Sequence, residues 1–308
     1  MTNISLWNNL DTQKRKYHNG GQKKNDRESE AYVMDIRFEK REHLKEKPDQ
    51  KHLGFGKYMT DYMFVMDWTK EEGWKDARIV PEGPITMDPA CVTLHYAQET
   101  FEGMKAYRTA EGKIQLFRPE MNAKRMINSN ARLCMPELPV DMFVEAVKAL
   151  VKVEEDWVPS EPETSLYIRP FMFATEAALG VHMASAYKFM IICCPVGAYY
   201  AEGINPVKIL VEDELVRAVK GGTGFTKCGG NYAGSILGQV KAEKMGYSQV
   251  LWLDGEHRKY VEEVGTMNIM FKIAGEIYTA PIEGTVLPGV TRDSMIHLLR
   301  DWGYKVNE

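Results

Sequence analysis

Apolar and polar residues along this chain change period several times, and the changes mark out its elements. Residues 58–68, Tyr-Met-Thr-Asp-Tyr-Met-Phe-Val-Met-Asp-Trp, are rich in aromatic and β-forming side chains and predict a strand. The glycines and prolines of residues 73–88 predict turns. Another strand is expected over 92–96. The word Phe101-Glu-Gly-Met-Lys-Ala-Tyr-Arg108, followed by Glu111-Gly112 and Ile114, predicts a β-hairpin. Spacing then becomes helical over 121–133 and again over 140–153, where Phe143, Val147, Leu150 and Val151 share one side. Pro159 and Pro162 close that helix, and strands are expected over 164–173, 187–196 and 207–211.

A glycine-rich loop, Gly221-Gly-Thr-Gly-Phe-Thr-Lys-Cys-Gly-Gly230, opens the C-terminal third. A helix follows, with Ala233, Ile236, Leu237, Val240 and Lys244 on one face. Residues 249–253 predict a strand, and 266–273 with 276–280 a hairpin turning at Ala274-Gly275. Leu287-Pro-Gly-Val-Thr-Arg292 opens a last helix carrying Met295, Leu298 and Leu299. Strands and helices are mixed without strict βαβ alternation, so the expected class is α+β (mixed α/β) in two domains. The boundaries drawn are an extension at 1–33, a small N-terminal domain at 34–201, a linker at 202–215 and a larger C-terminal domain at 216–308.

Composition narrows the function. The chain has 308 residues, enough for two domains with real cores. With 39 basic against 43 acidic side chains the net charge is only -4, which argues against binding nucleic acid by phosphate neutralisation. No apolar run approaches the ~18 residues of a membrane helix, so no membrane partner is expected. Five cysteines without CxxC spacing give no zinc ribbon, no metal site and no disulfide framework, and a cytoplasmic location follows as the default. Residues 11–51 hold 12 basic and 9 acidic side chains. Residues 11–31 are almost free of large apolar side chains, so the extension at 1–33 is expected to be disordered, and Met34 is an alternative translation start.

Lys227, among five glycines, draws attention first. A P-loop needs a glycine before the lysine and a hydroxyl after it, whereas here Thr226 precedes and Cys228 follows. A lysine at the rim of a cavity can instead lose hydration, become a neutral amine and bond a carbonyl carbon. Partners for such chemistry exist. Glu263 heads a small-residue turn with Thr266, Val290 and Thr291 sit at a helix start suited to phosphate, and Arg125 offers a planar cation. Taken singly, each also reads as an ordinary surface, turn or capping residue.

Together with further words the chain resembles the fold-type-IV pyridoxal-phosphate enzymes (class IV aminotransferases), and within them the branched-chain amino acid aminotransferases. The matching words are Phe55-Gly-Lys, Phe101-Glu-Gly-Met-Lys-Ala-Tyr-Arg108, Phe117-Arg-Pro119, Leu166-Tyr-Ile-Arg-Pro170, Gly221-Gly-Thr-Gly224, Lys227-Cys-Gly-Gly-Asn-Tyr232, Gln249-Val-Leu-Trp-Leu253, Glu263-Val-Gly-Thr-Met-Asn268 and Leu287-Pro-Gly-Val-Thr-Arg292. The resemblance implies a homodimer that uses pyridoxal 5'-phosphate. It implies transfer of the amino group of L-leucine, L-isoleucine or L-valine to 2-oxoglutarate, through alternating half-reactions that include glutamate and the branched-chain 2-oxo acids. Lys227 would be the Schiff-base lysine and proton carrier. Glu263 would keep the pyridine nitrogen protonated, and Tyr232 would bond the ring's phenolic oxygen. Arg125, Thr266, Val290 and Thr291 would hold the phosphate. Phe55, Phe101, Tyr167 and Arg169 would shape the substrate pocket, with Tyr96 and Val181 reaching into the neighbouring subunit's site.

Two departures accompany the resemblance. Met270 stands where an aromatic is usual. The family also continues past Glu308 with a Gly-Thr-Ala loop, so the large domain is expected to be C-terminally incomplete. The alternatives are therefore a truncated, inactive or weakly cofactor-binding fragment, or a related enzyme such as a D-amino acid aminotransferase or aminodeoxychorismate lyase.

Overall fold

The structure is a computed structural model and describes residues 34–197 and 205–308; the expected extension at 1–33 lies outside the described residues. Three sheets organise the described residues. The first is built from β1 (Arg37–Phe38), β2 (Tyr62–Thr69), β3 (Gly73–Pro81), β4 (Glu99–Phe101), β5 (Met104–Arg108), β6 (Ile114–Leu116), β7 (Ser165–Ala174) and β8 (Ala186–Val196). Its order is β1-β3-β2-β8-β7-β5-β6, with β4 also pairing β7. Helices α1 (Val92–Tyr96), α2 (Pro119–Arg132) and α3 (Val140–Val153) belong to this part of the chain. The second sheet, in order β12-β11-β10-β9, joins β9 (Ile209–Glu212), β10 (Gln249–Leu253), β11 (Val261–Val264) and β12 (Met267–Asn268), with α4 (Gly229–Lys244) packed on it. The third consists of β13 (Met270–Ile273), β14 (Glu276–Thr279) and β15 (Val306–Asn307), with α5 (Val290–Asp301) against it. Strand β9 falls inside the stretch 202–215, so part of that segment is sheet. No helix among the described residues is long and apolar enough to cross a membrane.

The main core lies between the first sheet and helices α2 and α3. Phe143, Val147, Leu150 and Val151 of α3 are buried there with Phe64, Leu166, Ile168, Phe189 and Ile191. The Phe189 ring meets Phe64 at 6.0 Å and Phe143 at 5.9 Å. On β7 the two-residue period puts Leu166 and Ile168 into this core. Tyr167 and Arg169 necessarily point to the other face. That alternation aims their side chains at the site described below.

Three local expectations are corrected. Residues 92–96 form a short helix rather than a strand: only Val92 is buried, and Ala97 stops the helix in the left-handed region at φ 50°. The expected turn over 73–88 is largely strand β3, because Gly73 and Pro81 sit at its ends and β-compatible residues fill the middle. The apolar row of α4 faces outward. Gly238 and Ala242 are the buried residues, while Ile236 and Leu237 are 60% and 64% exposed. The helix approaches so closely that a Cβ on Gly238 would lie 2.5 Å from the Trp252 ring.

Candidate active site

Lys227 is fixed by its backbone before its side chain is considered. Its N–H donates to Ser129 Oγ of α2 at 2.9 Å, and its carbonyl accepts from Phe101 N of β4 at 2.9 Å. The amine therefore enters the cleft from a loop tied to α2 and to the first sheet. Nζ donates to the Tyr232 hydroxyl at 2.7 Å and lies 4.6 Å from the Phe101 ring centroid. Burial lowers the Lys227 pKa to about 8; Arg125 and Arg169 push the same way, against the pull of Glu102 and Glu263. Near neutral pH a usable fraction of this amine is unprotonated, as carbonyl addition requires. Burial pushes the Tyr232 phenol up, so it stays a neutral hydroxyl.

Glu263 sits on β11, which turns at Gly265, in the left-handed region at φ 55°, into β12. Its Oε2 pairs with Arg217 at 2.8 Å, and its Oε1 accepts from Asn268 Nδ2 at 2.9 Å and from Leu287 N at 3.3 Å. Burial raises this carboxyl to about 7, against the opposing pull of Arg217. It is thus a carboxyl that can hold a proton near neutrality while lining the same cleft as Lys227.

That cleft holds about 620 Å³ and is lined by Arg125, Tyr167, Lys227, Glu263, Thr266, Val290 and Thr291. Tyr232, Glu263 and Thr266 line a narrower pocket beside it. Arg125 is largely buried and is held by Glu102, which accepts from Nε at 2.8 Å and from Nη2 at 2.7 Å. The remaining nitrogen, Nη1, reaches the Pro288 carbonyl at 3.3 Å, next to the start of α5. Gly289 caps α5 without a side-chain bond, so the first-turn N–H groups are uncapped by any side chain. A Cβ at Gly289 would collide with Asn268 Oδ1, so glycine lets the backbone close on that side chain. A guanidinium, a threonine hydroxyl and an uncapped helix start around one cleft suit a phosphate dianion.

The predicted residues Phe55, Phe101, Tyr167 and Arg169 form a contiguous aromatic wall. Phe55 packs on Tyr167 at 4.9 Å, Arg169 donates to the Tyr167 hydroxyl at 2.8 Å, and its guanidinium lies 4.6 Å from Phe101. Tyr96 and Val181 do not line this cleft. Tyr96 accepts at its hydroxyl from the N–H of Gly180, the residue before Val181, at 2.9 Å, and the two predicted residues are 40% and 86% exposed. Several contributors escaped the sequence reading. Glu102 and Lys105 stood inside a quoted word, and burial lowers the Lys105 pKa where it lines the cleft. Asn268 ended another word. Arg217 and Ser129 carried no signal, because only the fold brings them to Glu263 and Lys227.

A desolvated lysine, a carboxyl tuned to neutrality and an anion cradle around one cleft define an enzyme built to seat a phosphorylated pyridine aldehyde. The comparisons with known proteins agree. The family profile described as amino-transferase class IV matches residues 99–308, and the chain belongs to that family. It is 54% identical over 273 residues to branched-chain-amino-acid aminotransferase 2 of Bacillus subtilis (strain 168), covering 89% of this chain and 75% of that protein. Among solved structures it is similar to the branched-chain amino acid aminotransferase from Thermobaculum terrenum in PLP-form (holo-form). The TM-score is 0.66 at 25% identity, over 80% of this chain and 76% of that one. It is likewise similar to the Escherichia coli branched-chain amino acid aminotransferase, with a TM-score of 0.68 at 26% identity, over 80% and 77%.

Proposed function

We propose that this chain transfers the amino group of L-leucine, L-isoleucine or L-valine to 2-oxoglutarate, using pyridoxal 5'-phosphate. The observation that carries the reading is one cleft lined by both Lys227, with its pKa near 8, and Glu263, with its pKa near 7. The cofactor supplies an electron sink that makes the hydrogen on the amino-bearing carbon acidic. The residues lining the cleft fit it. Arg125, Thr266 and the Val290–Thr291 backbone would hold its phosphate. Glu263 would hold a proton toward its ring nitrogen, and Tyr232 would bond its phenolic oxygen. Lys227 Nζ, as the neutral amine, would accept the proton from the amino-bearing carbon of the first substrate and, in the return half-reaction, deliver one to what was the 2-oxo carbon of the second. Tyr167 lines the cleft and Phe55 and Phe101 stand beside it, an aromatic surface that would favour a branched apolar side chain, worth about 1.5–3 kcal/mol when buried. Arg169 stands in that surface as a cation for a carboxylate.

The reading extends to a homodimer in which Tyr96 and Val181 serve the second copy's site. Leu94, Leu179 and Met183 are exposed beside them, an apolar surface suited to burial against a like surface. A cytoplasmic setting goes with it, since the five free thiols stay reduced there.

The experiment mixes the purified chain with pyridoxal 5'-phosphate and reads the absorbance band of the lysine-bound cofactor, then assays L-leucine and D-alanine with 2-oxoglutarate. A band lost in Lys227→Ala and turnover of leucine are expected. A band that survives the substitution, or turnover of D-alanine alone, overturns the reading.

A further inference from the structure

The word Phe117-Arg-Pro119 joins β6 to α2. Its arginine is the N-cap of α2 and adopts the left-handed region at φ 48°, ψ 50°, a conformation that costs a non-glycine residue roughly 1–2 kcal/mol. Pro119 at the first helical position cannot relieve this by shifting the helix start. The strained backbone carries the side chain across to the other domain. Nη2 pairs with Asp293 Oδ2 at 2.7 Å, and Nη1 donates to the Ser294 hydroxyl. Both partners lie in the first turns of α5, just beyond Val290, Thr291 and Arg292. Ser294 Oγ in turn donates to the Val290 carbonyl at 3.0 Å.

Helix α2 therefore grips the α5 start at two points. Arg125 holds Pro288 before the uncapped turn, and Arg118 holds Asp293 and Ser294 after it. Charge makes the second grip more than mechanical. Asp293 sits in the first turn, where a carboxylate favours the helix but repels an arriving phosphate dianion. The pair with Arg118 offsets that repulsion.

We infer that Arg118 is a positioning residue for the cofactor's phosphate, acting through Asp293 and Ser294 to hold the α5 N-terminus against α2. This rests on the reading of Lys227 and the cleft given above. It ties phosphate binding to the contact between the two parts of the chain, since α2 packs with the first sheet and α5 with the third.

The test titrates the apo chain with pyridoxal 5'-phosphate and, separately, with phosphate-free pyridoxal, reading the absorbance of the lysine-bound form. Arg118→Ala is expected to weaken pyridoxal 5'-phosphate about 10- to 100-fold while changing pyridoxal less than about twofold, a selectivity that a general structural role would not give. Arg118→Lys should recover part of the loss by keeping the Asp293 pair. Asp293→Asn alone should cost less than Arg118→Ala, and in the Arg118→Ala background it should give no additional loss. Equal weakening of both probes, unchanged phosphate-dependent binding, or additive losses in the double variant overturn the inference. If wild type gives no band with either probe, the failure lies in the Lys227 reading. Thermal unfolding of each variant identifies any that does not fold, and Ser294→Ala, the mildest change in the clamp, then carries the same two-probe comparison.

Discussion

The Lys227 amine donates a 2.7 Å hydrogen bond to the Tyr232 hydroxyl, and this bond favours the protonated lysine. Burial works against the charge and wins, leaving the pKa near 8. The rate at which the apo chain captures pyridoxal 5'-phosphate should therefore rise with pH and level off above about 8, as the neutral amine becomes the majority form. Tyr232→Phe removes the acceptor and should move this profile to lower pH by about half a unit to one unit, measured by stopped-flow absorbance. A shift to higher pH would contradict the assignment.

Glu263 and Arg217 form the other decisive pair, both nearly inaccessible to water at 2.8 Å. Arg217 also donates to the Thr285 carbonyl and, at 3.2 Å, to that of Gly224, so its charge is embedded in backbone. Replacing Glu263 leaves the Arg217 charge buried and alone, whereas replacing Arg217 lets the Glu263 carboxyl, already near 7, take up a proton and become neutral. Glu263→Ala should therefore destabilise the apo chain by about 3–5 kcal/mol, Arg217→Ala by less near neutral pH, and the double variant by clearly less than the sum of the two. Denaturant unfolding of the three variants measures the coupling, and additive losses would show that the pair is not coupled.

The two pairs illustrate what could and could not be read from the order of residues. Helix α3 spans the expected residues 140–153, because its core-facing side chains recur at helical spacing. Strand β7 was legible for the same reason at period two. Lys227, Tyr232 and Glu263 stood inside quoted words and lie close together in the structure, since glycines and short polar residues cluster where backbone must approach a ligand, whereas Arg125 lay outside those words, on a helix. Arg217 was not legible, because nothing near it in sequence distinguishes it from other loop arginines. Residues 92–96 misled because Val and Tyr favour strands, whereas one buried residue and a left-handed stop at Ala97 make a single helical turn sufficient.

Helix α4 misled through its apolar row, and its glycines provide a direct check. Gly238 faces Trp252, which is buried, and a Cβ there would lie 2.5 Å from the ring. Gly234, exposed on the same helix, has nothing within 4 Å of the same position. Gly238→Ala should therefore destabilise by about 1–3 kcal/mol through overpacking, despite alanine's better helix propensity. Gly234→Ala should stabilise by up to about 1 kcal/mol. Opposite signs in thermal unfolding are expected; the same sign for both would mean that α4 docks on a different face.

Glu154, at the end of α3, is almost fully buried, away from the cleft residues, and its carboxylate accepts from Tyr62 N. Burial pushes its pKa up to about 7, and the nearby Asp61 adds to the rise, against the opposing bonds from Tyr62 and Thr60. The unfolded chain releases this proton near the ordinary carboxylate value of 4.5. Between those values the folded state binds more protons than the unfolded state, so stability falls as pH rises, and the penalty is complete once pH exceeds the folded pKa. Glu154→Gln keeps an acceptor for Tyr62 and removes the titration. Relative to wild type it should therefore gain stability as pH is raised, by about 2 kcal/mol between pH ~5.5 and ~8.5. Denaturant midpoints of the two apo proteins across that range measure the difference directly. A constant offset between them would mean that Glu154 is ionised in the folded state throughout, and that Lys45 with the local hydrogen bonds outweighs burial.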